Sequence, residues 1–396
     1  MMLQGWLALG LIGVVMPAFS QGPGANPSLA ASYNEFGFKL LTQVRQDAPG
    51  KNVFLSPLGL SLALSMAADG AGGETLREMQ SVLQLRPGLR ASELNRANQA
   101  LTAGLAKLDG KIQLKIANSI WTAEDLGIKN EYVSALQSFY QAEAASVNFK
   151  DPATANRING WVSDHTAGKI TRMVDPPLDQ NRVILLDAIY FKGDWASPFD
   201  KSLTRDAPFT LGNGRSVTHP RMTRSGEMSY CENDAFQAVC LRYTGNAVSF
   251  YLFLPKGGLD GFLPQLTMRN WRRWQMDFGS RKGTLEMPRF KLENEYNLKP
   301  PLQALGMVRP FDRLRAEFGG ISDERLFIDW IKQKTYVDVN EQGTEAAAVT
   351  GMGFRALVIR REEPPFRMVV DRPFFLAIQD AQSGTFLFLG AILDPR

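Results

Sequence analysis

The pattern of apolar and polar positions divides the chain into a helix-rich first part and a strand-rich second part. Between residues 33 and 109 the apolar side chains recur at helical spacing, and glycine or proline interrupts the pattern between the predicted helices. The segments 132–140 and 158–170 have the same spacing and also predict helices. After Phe199 strand patterns dominate. Helices followed by strands favour the α+β class over an alternating arrangement.

Individual apolar runs predict strands of the core. The run 183–191, VILLDAIYF, is almost continuously apolar, which is typical of a strand that is buried on both faces. An alternating run that begins at Ile112 predicts another strand. The runs 249–254 and 386–389 predict strands near the end of the chain.

The N-terminus has the features of an export signal. The first charged side chain is Glu35, and an apolar stretch at residues 7–16 is followed by proline and small residues. This pattern predicts a signal peptide over residues 1–20 and a flexible segment over residues 21–29. We therefore expect a secreted or periplasmic protein that has no membrane partner after cleavage. An uncleaved anchor is the weaker alternative, because the apolar stretch is short for a bilayer.

Composition and charge are those of an ordinary globular protein. The chain has 396 residues, of which 44% are hydrophobic and 21% charged, and its formal net charge is +4. We interpret this mildly basic balance as a solvated surface rather than as nucleic-acid binding. The run 271–274, WRRW, is more typical of an amphipathic helix than of a polymer-binding site. The two cysteines, Cys231 and Cys240, could form a disulfide across a hairpin or remain two buried thiols.

Candidate enzyme chemistry is sparse. Only His165 and His219 could serve as a histidine base, and no G-x-S-x-G motif accompanies them. The stretch 351–356 fits the pattern G-x-G-x-x-A loosely, but its flanks are those of a loop rather than of a dinucleotide site. The sequence contains no Walker, H-E-x-x-H, EF-hand or other metal-binding pattern. We therefore expect a protein that is not an enzyme and that needs no cofactor or metal.

The most informative segment runs from Glu341 to Thr350, EQGTEAAAVT. Small side chains fill it, and no proline occurs before Pro364, so every amide is free to join a β-ladder. An alanine run usually favours a helix, but the glycine and the β-branched residues around it weaken that preference. If the segment became a strand, alternate residues would face inward, namely Thr344, Ala346, Ala348 and Thr350. All four are small, so the segment could exist first as an exposed loop and later as a strand.

This segment resembles the hinge of the serpin family. The hinge consensus, roughly E-x-G-T-E-A-A-A-x-T, leaves Val349 at a variable position. The matching residues are Glu341, Gly343, Thr344, Glu345, Ala346, Ala347, Ala348 and Thr350. Other stretches are similar to further motifs of the family, namely 52–75, 158–170, 187–195, 371–375 and 386–390. The resemblance implies one serpin domain over residues 30–396, with a reactive-centre loop at about 341–364.

The resemblance also implies a fold and a mechanism. Serpins have a helix-rich N-terminal part around a central five-stranded mixed sheet A, smaller sheets B and C, and an exposed reactive-centre loop. A serine-type or cysteine protease cleaves the loop and is held as an acyl-enzyme, while the freed loop inserts into sheet A. The expected partner is the target protease, bound covalently to a monomer. The alternatives are a non-inhibitory serpin that acts as a carrier, chaperone or storage protein and, less favoured, a secreted hydrolase.

The position of the hinge implies the bait bond. In the family the cleaved residue usually lies sixteen positions after the hinge glutamate, which selects the bond between Leu357 and Val358. Leucine suits the apolar specificity pockets of chymotrypsin-like, elastase-like and subtilisin-like enzymes. The loop is longer than in many serpins, so Arg355, Arg360 and Arg361 are alternative bait residues that suit trypsin-like enzymes.

The chain departs from the family pattern where sheet A opens. Family members commonly place serine, asparagine and histidine in a polar cluster there, and the corresponding residues here are Gly59, Asp187 and Gln333. Together with Ser56 and Trp195 they form the sheet-opening region that the resemblance implies. Because a buried carboxylate needs hydrogen-bond partners, we expect Gln333 to donate a side-chain hydrogen bond to Asp187. The substitution Asp187→Asn should then alter how readily the sheet opens.

Overall fold

The computed structural model describes residues 27–108, 111–344 and 364–396. Its helices lie mainly in the first part of the chain and its strands mainly in the second, which confirms the α+β class. The α-helices are α1 Pro27–Asp47, α2 Pro57–Asp69, α3 Gly73–Val82, α4 Ala91–Leu105, α5 Asn130–Tyr140, α6 Ala153–His165, α7 Leu259–Phe262, α8 Met268–Asp277 and α9 Lys299–Ala304. Short 3₁₀ helices lie at Glu124–Leu126, Lys201–Leu203, Leu263–Gln265 and Arg309–Phe311. None of the described helices combines the length and the apolar character that crossing a bilayer requires.

The described strands form two sheets. They are β1 Val53–Leu55, β2 Ile112–Ala123, β3 Glu143–Val147, β4 Val183–Asp194, β5 Arg205–Thr210, β6 Ser216–Glu232, β7 Phe236–Arg242, β8 Val248–Pro255, β9 Gly279–Pro288, β10 Phe290–Asn297, β11 Trp330–Val339, β12 Gly343–Thr344, β13 Phe366–Val369, β14 Phe374–Asp380 and β15 Phe386–Ile392. The first sheet has the order β10-β11-β12-β4-β2-β3 and mixes parallel with antiparallel pairs. Apart from the two-residue strand β12, it is the five-stranded mixed sheet A that the resemblance to serpins implies.

The second sheet joins the strands that were expected in two separate smaller sheets, B and C. Its order is β1-β15-β14-β8-β7-β6-β9-β13, and β5 pairs with β6 at its side. The connection is β6, whose 17 residues pair with β5, with β9 and, at the C-terminal end, with β7. Because β6 is long enough to belong to both groups of strands, sheets B and C form one hydrogen-bonded network.

Helix α2 lies in the core between the two sheets. It contacts β2 and β4 of sheet A on one side and β15 on the other, and residues 57–68 are buried. Ser56 caps its N-terminus, since its hydroxyl accepts the main-chain N–H of Gly59 at 3.0 Å. Helix α6 covers the other face of sheet A, where Trp161 meets Trp121 edge-on. Sheet A therefore has a helix on each face, and residues 183–191 of β4 are buried, as their continuous apolar run predicts.

Some local predictions need correction. Strand β1 lies within the part of the chain that was predicted to be helical, because its residues pair with β15 instead. Helix α6 ends at His165 rather than at Ile170, since Ala167 and Gly168 have φ values of 53° and 73° that a helix cannot contain.

Two other features of the sequence take the simpler of their alternative forms. Cys231 and Cys240 are both buried free thiols rather than a disulfide. The WRRW run belongs to α8, where Trp271 and Trp274 are buried and the arginines between them are exposed. The run is therefore the amphipathic helix that its spacing predicts.

Candidate functional site

The space between β4 and β11, called the β4–β11 gap below, is closed along most of its length. Residues 184–190 of β4 pair directly and in parallel with residues 330–336 of β11. Beyond these pairs, at what we call the upper end of the gap, β12 lies between the two strands. Thr344 pairs with Gly193 on one side and with Val339 on the other, antiparallel to both. The first residues of the hinge therefore already form part of sheet A.

A short turn returns the chain from β11 into the gap. The main-chain N–H of Asn340 donates to the carbonyl of Gly343 at 2.9 Å, and the Asn340 side chain accepts the N–H of Gln342 at 3.0 Å. A Cβ atom on Gly343 would collide with the carbonyl oxygen of Gly193. Glycine is therefore required where the turn enters the gap and approaches β4.

The carbonyl groups of this turn are held by two residues that follow β4. The Trp195 ring nitrogen donates to the carbonyl of Asn340 at 2.9 Å, and the Trp195 main-chain N–H donates to that of Gln342 at 2.8 Å. The N–H of Phe199 donates to the carbonyl of Glu341 at 2.7 Å. Because each of these buried polar groups has a partner, the turn is fixed against the end of β4.

Thr344 faces the core. Its hydroxyl shares a hydrogen bond with the hydroxyl of Tyr243 at 2.7 Å, and both residues are fully buried. Tyr243 in turn stacks on Trp195 with a distance of 4.6 Å between ring centroids. Thr344 thus has the inward orientation that alternation along a strand predicts for it.

The side chain of Glu341 is also buried, at 2% exposure. Its Oε1 accepts a hydrogen bond from the Thr204 hydroxyl at 2.8 Å. Its Oε2 lies 3.6 Å from Nε of Arg289 and has no hydrogen-bond donor among the residues described. Glu341 therefore ties the turn to the segment after β4 by one hydrogen bond, and to Arg289, the residue between β9 and β10, by one longer ion pair.

At the middle of the gap, Gln333 joins β11 to both α2 and β4. The main-chain N–H of Ser56 donates to Gln333 Oε1 at 3.0 Å, which fixes the orientation of the amide. Gln333 Nε2 then donates to the carbonyl of Ser56 at 2.9 Å and to the carboxylate of Asp187. The expected hydrogen bond between Gln333 and Asp187 is therefore present. It joins the two strands between which β12 would extend.

Asp187 is fully buried, with an incomplete set of partners. A Cβ atom on Gly59 would collide with its carboxylate, so Asp187 fills the space that a serine side chain would need. Asn118, directly opposite on β2, donates to the carbonyl of Gly59 at 3.1 Å. In the described part of the chain, neither Oδ1 of Asp187 nor Oδ1 of Asn118 has a donor. Burial raises the pKa of Asp187 to about 7, and the hydrogen bond from Gln333 opposes this only in part.

The predicted site residues fall into three groups. Ser56, Gly59, Asp187 and Gln333 meet at the middle of the gap. Trp195 does not belong to this cluster and instead holds the turn at the upper end, together with the hinge residues Glu341, Gly343 and Thr344. The remaining predicted residues lie outside the described residues, namely Glu345, Ala346, Ala347, Ala348, Val349, Thr350, Arg355, Leu357, Val358, Arg360 and Arg361.

Several residues of the site were not identified from the sequence, among them Asn118, Tyr243 and Thr204. Asn118 could have been, because it is the polar exception among inward positions of β2 that are otherwise occupied by residues such as Ile116 and Ile120. Tyr243 and Thr204 carry no comparable signal, since each meets the hinge across more than a hundred residues of sequence.

The candidate enzyme residues have ordinary structural environments. His165 lies at the end of α6 with Nδ1 2.8 Å from the carbonyl of Trp161, and His219 Nε2 lies 2.6 Å from the carbonyl of Arg289. Within the described ranges, no group of three or more His, Cys, Asp or Glu side chains is arranged to hold a metal ion.

Comparison with known proteins identifies the family. The family model described as serpin (serine protease inhibitor) matches residues 31–395. Iripin-8 of Ixodes ricinus is 35% identical over 92% of this chain and 93% of its own length. The leukocyte elastase inhibitor of Bos taurus is 33% identical over 93% of this chain and 99% of its own length. The crystal structure of native protease nexin-1 with heparin superimposes with a TM-score of 0.84 at 26% identity, covering 93% of this chain and all of that one.

The fold, the hinge in the β4–β11 gap and these similarities lead to one assignment. The chain belongs to the serpin family.

Proposed function

We propose that this protein inhibits serine-type proteases by inserting its own cleaved loop into sheet A. The observation that carries the proposal is the position of Thr344, the first inward residue of the hinge, between β4 and β11. Serpins are mostly protease inhibitors, although some are not. The inhibitory function is therefore inferred from this geometry and from the small side chains that follow Thr344 in sequence.

The reaction begins as ordinary proteolysis. The protease serine attacks the carbonyl carbon of Leu357, the bond to the nitrogen of Val358 breaks, and the amine leaves with a proton. An ester then joins the acyl group of Leu357 to the protease. Water would hydrolyse this ester in an undisturbed active site, so inhibition requires that the loop moves before hydrolysis occurs.

Loop insertion follows from the register of β12. Thr344 pairs with Gly193 of β4 and with Val339 of β11. If this antiparallel register continued down the gap, Thr350 would lie opposite both Asp187 and Gln333, which face each other in the closed sheet. The new strand would exchange main-chain hydrogen bonds with both neighbours, which the separated strands could not do alone.

The length of the inserted strand explains how the enzyme is trapped. About 15 residues at about 3.3 Å each carry the acylated end roughly 50 Å. That distance is comparable to the diameter of a domain of this size. The attached protease would therefore be drawn from one end of sheet A to the other, and its active site would be distorted before deacylation.

The target is expected to have an apolar specificity pocket, because Leu357 is the proposed bait residue. Cleavage after Arg355, Arg360 or Arg361 would instead indicate a trypsin-like target. The protein would meet this protease outside the cytoplasm, since residues 1–20 have the pattern of a signal peptide. N-terminal sequencing of the protein from its own cells tests the export proposal, with Gln21 as the expected first residue.

One experiment tests inhibition directly. The chain is incubated with subtilisin, elastase and trypsin and then separated on a denaturing gel, and mass spectrometry of the released fragment locates the cleaved bond. A covalent complex with one of these enzymes is the expected result. Cleavage without any complex would mean that the chain is a substrate rather than an inhibitor.

A pair of arginine substitutions provides the matched control. Thr344→Arg places a charge at a fully buried inward position, so it should convert the inhibitor into a substrate. Glu345→Arg introduces the same side chain at the next residue, which alternation places on the outward face, so complexes should still form. Equal behaviour of the two variants would contradict insertion in this register.

A further inference from the structure

The α2-facing side of sheet A contains one charged side chain among the described residues. Alternate residues of a strand share a face, and the hydrogen bonds of Gln333 to Ser56 and of Thr335 to Phe54 identify the inward positions of β11. Around Gln333, the inward neighbours on β2, β4, β10 and β11 are Ile116, Asn118, Ile120, Leu185, Asp187, Ile189, Leu292, Asn294, Tyr296, Ile331, Thr335 and Val337. Of these only Asp187 can carry a charge near neutral pH.

The elements packed against this face do not supply a counter-charge. The adjacent strands β1 and β15 contain no ionisable residue, and α2 contains only Asp69 at its C-terminal end. Asp69 accepts a hydrogen bond from Asn95 at 2.6 Å, and ten residues of helix, about 15 Å, separate it from Gly59. Tyr296 is the other titratable group on this face; burial raises its pKa, so it remains neutral. An ionised Asp187 would thus be a buried charge with no cation beside it.

The hydrogen-bond pattern of the cluster lacks one donor. Both protons of the Gln333 amide nitrogen are used, one by the carbonyl of Ser56 and one by Asp187. The orientation of Asn118 is set by its bond to the carbonyl of Gly59, so among the described residues its Oδ1 is an acceptor without a donor, as is Oδ1 of Asp187. Directly opposed residues of an antiparallel pair have Cβ atoms about 4.5–5.5 Å apart. A proton on Asp187 would convert one of these two acceptors into a donor within reach of the other.

We propose that Asp187 carries a proton in the closed sheet and loses it when the sheet opens, so that a rise in pH towards neutrality promotes loop insertion. This inference rests on the proposed function. Opening the gap separates Gln333 from Asp187 and admits water, which stabilises the ionised carboxylate. In the inserted state Thr350 would lie between the two residues, where its hydroxyl can donate to Asp187 and accept from Gln333. The loop itself would then supply the donor that the proton supplies before insertion.

The direction of the pH effect follows from proton binding. Burial raises the pKa of Asp187 to about 7 in the closed sheet, and a hydrated aspartate has a pKa of about 4. Between these values the closed sheet binds more protons than the open one. The opening equilibrium therefore rises by at most about tenfold per pH unit in this range, and it levels off above about pH 7.

Uptake of a synthetic peptide measures opening without any protease. A labelled peptide with the sequence of residues 345–354, which begins after the residue already in the gap, is mixed with the intact chain at pH 5.5 and pH 8, and the bound peptide is separated by size. Uptake should be at least about fivefold faster at pH 8. In the Asp187→Asn variant the amide N–H takes the place of the O–H donor of the protonated carboxylic acid, and asparagine cannot ionise. This variant should therefore take up the peptide slowly at both pH values. Asp179→Asn, which removes an exposed carboxylate from the loop before β4, should behave as the unmodified chain.

The outcomes separate this inference from the inhibitory function. Equal uptake at the two pH values, or an Asp187→Asn variant with the unmodified pH dependence, would overturn the inference. Loss of the pH dependence in Asp179→Asn would also overturn it, because the proton would then reside elsewhere. If the peptide entered at neither pH, hydrogen exchange of the main-chain amides of β4 and β11, corrected for intrinsic rates, would measure how often the sheet opens. Equal protection of these amides at both pH values would again overturn the inference. Pronounced pH dependence without covalent complexes would instead count only against inhibition.

Discussion

At the upper end of the β4–β11 gap Thr344 already lies between the two strands, whereas at the middle Gln333 of β11 meets Asp187 of β4 directly. The upper end has a third strand in place, and the carbonyls of its turn are bound by Trp195 and Phe199. The residues that the structure describes place no such strand at the middle, and none of them donates to one buried carboxylate oxygen there. If the loop inserts as proposed, this difference predicts that insertion starts at the upper end, where β12 already lies between the strands, and that the middle resists it.

The two regions also differ in the kind of interaction that holds them. The upper end depends on a stacked pair of large aromatic rings, Trp195 and Tyr243, with the hinge bound to their polar atoms. The middle depends on a small set of hydrogen bonds among Ser56, Gln333 and Asp187. Substitutions at the upper end should therefore act mainly through packing, and those at the middle through polar groups that are left unpaired or displaced.

Removal of the Trp195 ring should have the largest effect. Trp195→Ala leaves a cavity beside Tyr243 and removes the donor to the Asn340 carbonyl, so the free energy of unfolding should fall by about 3–5 kcal/mol. Urea titration measures the loss. Trp195→Phe retains most of the ring volume and should lose clearly less. If both variants were as stable as the unmodified chain, the packing account of the upper end would be wrong.

A serine at position 59 should disturb the middle of the gap. Gly59→Ser makes Cβ collide with the carboxylate of Asp187, so the free energy of unfolding should fall by about 1–3 kcal/mol although serine is the better helix former. Gly104→Ser is the matched control, because it also lies in a helix and a Cβ there meets no atom within 4 Å. A loss of similar size in both variants would show that contact with Asp187 is not the cause.

Thr350 should matter only after insertion. Thr350→Val keeps the shape but removes the hydroxyl that would bridge Asp187 and Gln333, so the nicked chain should lose about 1–2 kcal/mol of stability while the intact chain is unchanged. Thr350→Ser keeps the hydroxyl and should behave as the unmodified chain. Urea titration of nicked and intact protein tests this, and an equal loss in both forms would contradict the register proposed for the inserted strand.

The charge of Glu341 should have the smallest effect. Glu341→Gln keeps an acceptor for Thr204 but removes the ion pair with Arg289, whose side chain is half exposed. The expected loss in the free energy of unfolding is about 1 kcal/mol or less, and it should shrink as salt is added. Thermal unfolding at low and high salt measures it. A salt-independent loss of several kcal/mol would show that Glu341 holds the upper end by itself.

The sequence predicted those features that depend on local pattern. The apolar run of β4 predicts a strand that is buried on both faces, and residues 183–191 are all buried in the structure. The bond between Gln333 and Asp187 was predictable because a carboxylate inside such a run needs a partner, and the resemblance to serpins placed Gln333 nearby. The first inference requires only the local pattern, whereas the second also requires the family resemblance.

Features that depend on distant contacts were not predicted. The local sequence around Gly343 and Thr344 does not indicate that these residues already pair with β4. Their pairing depends on contacts with Tyr243 and Trp195, which lie in other parts of the chain. The resemblance placed Gly59 and Asp187 in one cluster, but the steric relation between them was not predicted: a residue without a side chain on α2 makes room for a carboxylate on β4. The separation of Trp195 from the Asp187 cluster likewise depends on where β4 ends.

The most direct test of the account compares the heat stability of the intact chain with that of the chain nicked once after Leu357. If the segment that follows Thr344 becomes a full strand between β4 and β11, the midpoint of thermal unfolding should rise by at least about 10 °C on nicking. An unchanged or lower midpoint, in a chain shown by mass spectrometry to be cut only at that bond, would contradict insertion of the loop into sheet A.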